Sequence, residues 1–218
     1  MRDRYSLAVG LAFLALVAVV TVNTLRGGGE GTLGIDPMPE RWPLPEFAVP
    51  AAAGPLEGDA NVAQDDCESS ALPCPEEARR RPACRIEARG AIRVCDLFDR
   101  PLVISFWFTK GESCVAQQDV VEALWRRYRG RVSFLSLDVR DERDTVRELV
   151  RERGWRMPVG HDRDGAVASL YRVGGCPTFA FAYPGGTLHD AAIGSLGRRE
   201  LERRVRRLLA ASAAAEPG

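Results

Sequence analysis

Lysine is nearly missing from this chain: Lys110 is the only one, and the basic residues are otherwise arginine. Net charge is missing as well, because thirty basic residues balance thirty acidic ones. No long-range field is left to draw in nucleic acid or an acidic substrate. Histidine is limited to His161 and His189, both remote from the first five cysteines, and no C-x2-C pair occurs. The usual ligand spacing of a zinc site is therefore lacking, and no metal is expected. No phosphate-cradling glycine motif is found either, so no cofactor is expected.

What is present starts at the N-terminus. From Tyr5 to Leu25 the chain runs 21 residues without a charge, with Arg2 and Arg4 before the run and Arg26 after it. Such a helix is about 30 Å long, the thickness of the hydrocarbon layer. The run ends without a small-x-small cleavage site, which favours a retained anchor over a removed signal peptide. The arginines favour a cytoplasmic N-terminus and an extracytoplasmic bulk. Residues 1–26 therefore read as a single-pass signal anchor in the cell membrane. Residues 27–41, rich in glycine, read as a flexible linker spanning roughly 20 Å. The folded domain is expected over 42–211, with a loop insertion at 51–81, and residues 212–218 as a tail.

Within the domain, Leu102 to Phe108 is continuously apolar, as in a central strand buried on both faces. Cys114 to Tyr128 follows with apolar residues at helical spacing. Val132 to Val139 reads as a second buried strand, Asp141 to Arg153 as a charged amphipathic helix and Trp155 to Val159 as a short strand. Gly165 to Val173 is helical, Thr178–Tyr183 and Thr187–Ile193 form a hairpin around Pro184-Gly185-Gly186, and Arg199 to Leu209 closes as a helix. Further upstream, ACRIEA–RG–AIRVCD reads as an N-terminal hairpin whose two-residue turn sets Cys84 opposite Cys95, within disulfide reach. The order describes an α/β fold with a mixed central sheet flanked by helices. His161 and His189 are expected in surface loops.

Six cysteines in an extracytoplasmic chain read as disulfides. For Cys67, Cys74, Cys84 and Cys95 the expectation is two structural bridges, 67–74 with 84–95 or 67–84 with 74–95.

Three motifs in order carry a resemblance. Phe106-Trp107-Phe108-Thr109-Lys110-Gly111-Glu112-Ser113-Cys114 is similar to the Phe-Trp-Ala-x-Trp-Cys-x-x-Cys segment of the thioredoxin superfamily. Gly175-Cys176-Pro177-Thr178-Phe179 is similar to its cis-proline loop, and Tyr183-Pro184-Gly185-Gly186 to the following hairpin turn. Residues 44–210 thus resemble the membrane-tethered TlpA-like and redoxin (alkyl hydroperoxide reductase/thiol-specific antioxidant) branch. The resemblance implies a thioredoxin-like fold and a cis Pro177.

The departures bear on function. Gly111 stands where that family has its attacking cysteine, and Ser105 where many members keep a buried carboxylate. The loop of Cys176 packs, in this fold, on the N-terminus of the active-site helix. The resemblance therefore implies that Cys114 and Cys176 meet, either as a relocated redox pair, as a static bridge or as separate thiols. Pro177, Thr178, Trp107, Lys110 and Glu112 would shape the site, although Trp107 reads first as core and Lys110 and Glu112 as solvated loop. The expected function is thiol–disulfide exchange on protein or small-molecule disulfides, supplied by a membrane thiol donor. Reduction of hydroperoxides, and a non-enzymatic binding module, are the alternatives.

Overall fold

Leu102–Trp107 (β4) is buried at every residue, and its two faces serve two different cores. The computed structural model describes residues 14, 15, 17, 41–56, 62, 63, 83–85, 87 and 89–215. The chain divides into two units, 1–30 and 31–218. In the first, Leu14, Ala15 and Val17 are helical and exposed. Among the described residues no helix is long and apolar enough to cross a membrane; most of the expected anchor lies outside them.

In the second unit, β4 is the middle of a five-stranded sheet. Ser133–Val139 (β5) pairs parallel with β4, and Val159–Asp162 (β6) parallel with β5. On the other side Thr178–Ala182 (β7) pairs antiparallel with β4, and Leu188–Ile193 (β8) antiparallel with β7. The spatial order is β6-β5-β4-β7-β8. Strand side chains alternate between faces. Val103 and Trp107 join Phe134, Phe179 and Phe181 in one core, while Ile104 and Phe106 join Leu135, Leu137 and Ala180 in the other.

The first core is covered by Glu112–Tyr128 (α1), Arg143–Arg153 (α2) and Arg198–Ala215 (α4), through Val121, Leu124, Val146, Val150, Leu201 and Val205. The second is covered by Phe47–Pro50 (β1) and Ala166–Leu170 (α3), with Phe47 and Phe106 packed on the buried Tyr171 ring. Gly154 ends α2 in the left-handed conformation, at φ 63°, and its N–H bonds back to Arg151 and Val150. Asp162 accepts from the N–H groups of Val167 and Ala168, which fixes the start of α3.

Among the described residues the expected N-terminal hairpin is not found. Ala91–Arg93 (β3) pairs antiparallel with β1, as does Val62–Ala63 (β2) within the 51–81 insertion, giving a small sheet in the order β2-β1-β3. The fully buried β1 offers β3 a ladder partner that also feeds the core, which a free-standing hairpin lacks. Cys84 sits in a 3-10 turn, Ala83–Arg85, and Cys95 in another, Val94–Leu97. They are nevertheless bonded, with Cα atoms 5.8 Å apart. The bond excludes the 67–84 with 74–95 pairing; Cys67 and Cys74 lie outside the described residues.

Two further expectations are corrected. The strand placed at Trp155–Val159 lies at Val159–Asp162, and Trp155 is a buried loop residue whose indole N–H donates to Asp119 at 2.8 Å. His161 and His189 are not in loops. His161 is buried on β6, its Nε2 2.9 Å from the Asp141 carbonyl, and His189 on β8 lies 2.8 Å from the Tyr183 hydroxyl.

Candidate active site

The end of β4, the first turn of α1 and the loop before β7 converge on one disulfide. Cys114 in the first turn of α1 is bonded to Cys176, with Cα atoms 5.8 Å apart and a sequence separation of 62. The Cys176–Pro177 peptide is cis, as the resemblance implied. Thr178 holds this loop: its hydroxyl donates to the Gly175 carbonyl at 2.7 Å, while the Gly194 N–H donates to the Pro177 carbonyl.

The two sulfur-bearing residues differ in access. Cys114 is 3% exposed, and Cys176 is only partly buried. The N–H groups of Cys114 and Val115 point back to the Gly111 carbonyl, closing the first turn of α1. A sulfur in this turn lies at the positive end of the helix dipole, which favours thiolate once the bridge opens. Lys110 and Glu112 are both exposed beside it, Lys110 in the turn before α1 and Glu112, expected in a loop, as the first residue of α1 itself.

Beneath Cys114 the network is neutral. The Gln118 amide donates to the Ser105 hydroxyl at 3.0 Å, and its oxygen accepts from the Ser136 hydroxyl at 3.0 Å. Ser105, Ser136 and Gln118 are fully buried. None of these three side chains is a carboxylate that could relay a proton. The adjacent Gln117 ties α1 to the loop before α4 through two bonds with Leu196, at 3.0 and 2.8 Å.

Trp107 is fully buried and packs the core edge-on to Trp155, with ring centroids 5.5 Å apart, and it also lines the wall of the cleft beside the bridge. Its neighbour takes the surface role. Phe108 is 38% exposed, as is Ile193, whose Cγ2 would lie 3.2 Å from a Cβ at Gly175. The two apolar side chains thus flank the bridge. Beside them opens a cleft of about 610 Å³, lined by Phe108, Lys110, Val139, Arg140, Val173 and Gly175. Its floor is tied together by the Thr109 N–H, which donates to Asp141.

The sequence reading missed Asp138. It is fully buried on β5, in register with Trp107 and His161, with the His161 Nε2 3.8 Å from its Oδ1 and Asp141 beside it. Burial, then the neighbouring Asp141, pushes its pKa up to about 9, so the group is neutral at pH 7. An acidic residue alternating with apolar ones in SFLSLDV is the one signal that placed it indoors.

Among the described residues, Glu46, Cys84 and Cys95 form the single group whose ligand-type atoms are close enough for a metal. Two of the three are taken up by their own bond.

No protein-family model matches the chain. Thiol-disulfide oxidoreductase ResA of Oceanobacillus iheyensis is 26% identical over 115 residues, which cover 52% of this chain and 60% of that protein. The chain thus spans less than two thirds of the length of this curated relative. A thiol:disulfide interchange protein of the thioredoxin family from Chlorobium tepidum superposes with a TM-score of 0.55 at 14% identity, over 80% of this chain and 99% of that one. A DsbF homologue from Corynebacterium diphtheriae reaches 0.58 at 14% identity, over 83% and 94%. At that identity the two structures speak for the fold, and the sequence match for descent. The chain has the thioredoxin-like fold and is homologous to ResA-type thiol-disulfide oxidoreductases.

Proposed function

We propose that this chain is a thiol–disulfide oxidoreductase in which Cys114 and Cys176 have replaced the two cysteines of a C-x-x-C motif. The observation that carries the reading is their bond, which joins a buried sulfur at a helix N-terminus to a partly exposed one. A thiolate of the substrate attacks the accessible Cys176 sulfur. Cys114 then leaves as a thiolate that the helix dipole stabilises. A second substrate thiolate attacks the mixed disulfide, the substrate leaves oxidised, and Cys176 leaves reduced. The reverse sequence reduces a substrate disulfide, with Cys176 attacking and Cys114 resolving. Atoms and electrons balance in either direction.

The exposed Phe108 and Ile193 favour a protein disulfide as substrate, since they offer apolar surface to a chain lying across the bridge. The 21-residue uncharged run after Arg4 supports a tether that holds the domain outside the cytoplasm, where a membrane thiol donor can reach it. Nothing among the relatives named above favours the hydroperoxide reading.

Trapping tests the roles. Incubated with a disulfide-bonded protein such as insulin, reduced Cys114→Ser accumulates a mixed disulfide through Cys176, and Cys176→Ser does not. Turnover that survives both substitutions would remove this pair from the mechanism.

A further inference from the structure

Gly111 is the N-cap of α1, with φ −107° and ψ 106°. This is extended backbone that any residue adopts, so its being glycine meets no conformational demand. Nor does capping call for it, since Ser, Thr, Asn and Asp serve an N-cap at least as well. Space is the remaining demand. A Cβ placed on Gly111 would lie 2.7 Å from the Cys114 sulfur and 3.4 Å from the Cys114 Cβ.

These two distances lead to two exclusive outcomes. At 2.7 Å a non-bonded carbon collides with the sulfur, and that sulfur is held by its bond to Cys176 and by the burial of Cys114 itself. Any ordinary side chain at 111 therefore pushes on the bridge. A cysteine is different. Disulfide-bonded residues have Cβ atoms about 3.5–4.5 Å apart, and the 3.4 Å separation here needs only a small adjustment to reach that range.

We propose that Gly111 is the positioning residue that directs Cys114 toward Cys176. The missing side chain keeps the Cys114 sulfur clear on its helix side and leaves the loop as its bonding partner. The thiol absent at 111 and the thiol present at 176 are then one coupled change of site design. Gly111→Cys reverses it. The thiolate introduced at position 111 attacks the Cys114 sulfur, the 111–114 bond forms, the 114–176 bond breaks, and Cys176 departs as a thiolate. One disulfide replaces another with no net oxidation. The inference rests on the pair proposed above, but its test reads bond connectivity and not turnover, so either can fail while the other stands.

The test uses the full chain, with differential alkylation and mass spectrometry across a graded thiol buffer. Gly111→Cys is expected to carry a 111–114 bridge and an alkylated Cys176. Gly111→Ala is expected to lower the equilibrium constant for closing 114–176 at least tenfold, which is about 30 mV. Gly197→Ala, at a glycine with nothing within 4 Å, is the control and leaves the constant unchanged. A Gly111→Cys protein that keeps the 114–176 bridge and a free thiol at position 111 overturns the proposal. So does Gly111→Ala with the wild-type constant. Should Gly111→Ala not fold, the Gly111→Cys map decides alone.

Discussion

The Gln118 amide nitrogen lies 3.0 Å from the Ser105 hydroxyl, and both groups are sealed from water beneath Cys114. Gln118→Leu leaves the Ser105 and Ser136 hydroxyls without their shared partner. A buried orphan of this kind costs about 1–3 kcal/mol, and urea unfolding of the oxidised protein should register a loss of that size. Ser105→Ala, which removes one bond of the network, should cost about 1 kcal/mol. A Gln118→Leu protein as stable as wild type would mean that water reaches the cavity and takes over the amide's role.

Cys84 and Cys95 staple two 3-10 turns 11 positions apart in sequence. Opening so short a loop by Cys84→Ser with Cys95→Ser should cost about 2–3 kcal/mol. Disulfide-exchange activity of the folded variant is expected to stay at the wild-type level. Loss of exchange in a variant with an intact fold would make this bridge the working one.

Asp138 fixes the sign of one pH dependence. Its pKa is raised in the fold to about 9 from an ordinary carboxylate value near 4. The folded state therefore holds a proton that the unfolded chain has given up. Stability contributed by the neutral form is complete below pH about 4 and is lost as pH rises toward 9, by up to about 1.4 kcal/mol per pH unit. Asp138→Asn cannot ionise, so its melting temperature should depend less on pH across this window and exceed that of wild type at pH 8. Parallel pH profiles for the two proteins would place the Asp138 carboxyl in contact with water.

Lys110 and Arg140 line the cleft beside the bridge. Replacing both by glutamate should slow exchange with an anionic disulfide such as oxidised glutathione several-fold, and speed it with the cationic disulfide cystamine. Both changes should shrink in about 0.5 M salt, where exposed charges are screened. Equal effects on the two disulfides would point to an altered bridge instead of an altered field.

The central sheet was legible because its strands announce themselves. LVISFW and SFLSLDV are apolar enough to be buried on both faces, and the helix that follows each of them carries regular apolar spacing. The meeting of Cys114 with Cys176 was legible only through the resemblance, since local patterning does not report contacts between residues 62 positions apart. The hairpin around Arg89-Gly90 failed for the converse reason. Its turn chemistry was sound, with Gly90 at φ 91°, but β1 from far upstream supplied the better partner for Ala91–Arg93. His161 was missed because its strand was placed a few residues too early, and Asp138, inside a strand read as buried, was missed because sequence does not show which residues it faces until β5 is paired with β4 and β6. The space at Gly111 is of the same kind, since a sequence records the lost cysteine but not the sulfur lying against its place.

The bridge between Cys114 and Cys176 closes 62 positions of chain, including α1, β5, α2, β6 and α3. A C-x-x-C bridge spans one turn of helix and hardly restrains the unfolded chain. This one removes enough freedom from it to contribute about 4 kcal/mol to folding when oxidised. Electron content and mechanical integrity are therefore linked in this molecule. In the exchange proposed above, each turnover would pass through a dithiol form that unfolds more readily, and folding in turn would raise the effective concentration of one thiol at the other. A donor that reduces this domain acts on its persistence as well as its chemistry.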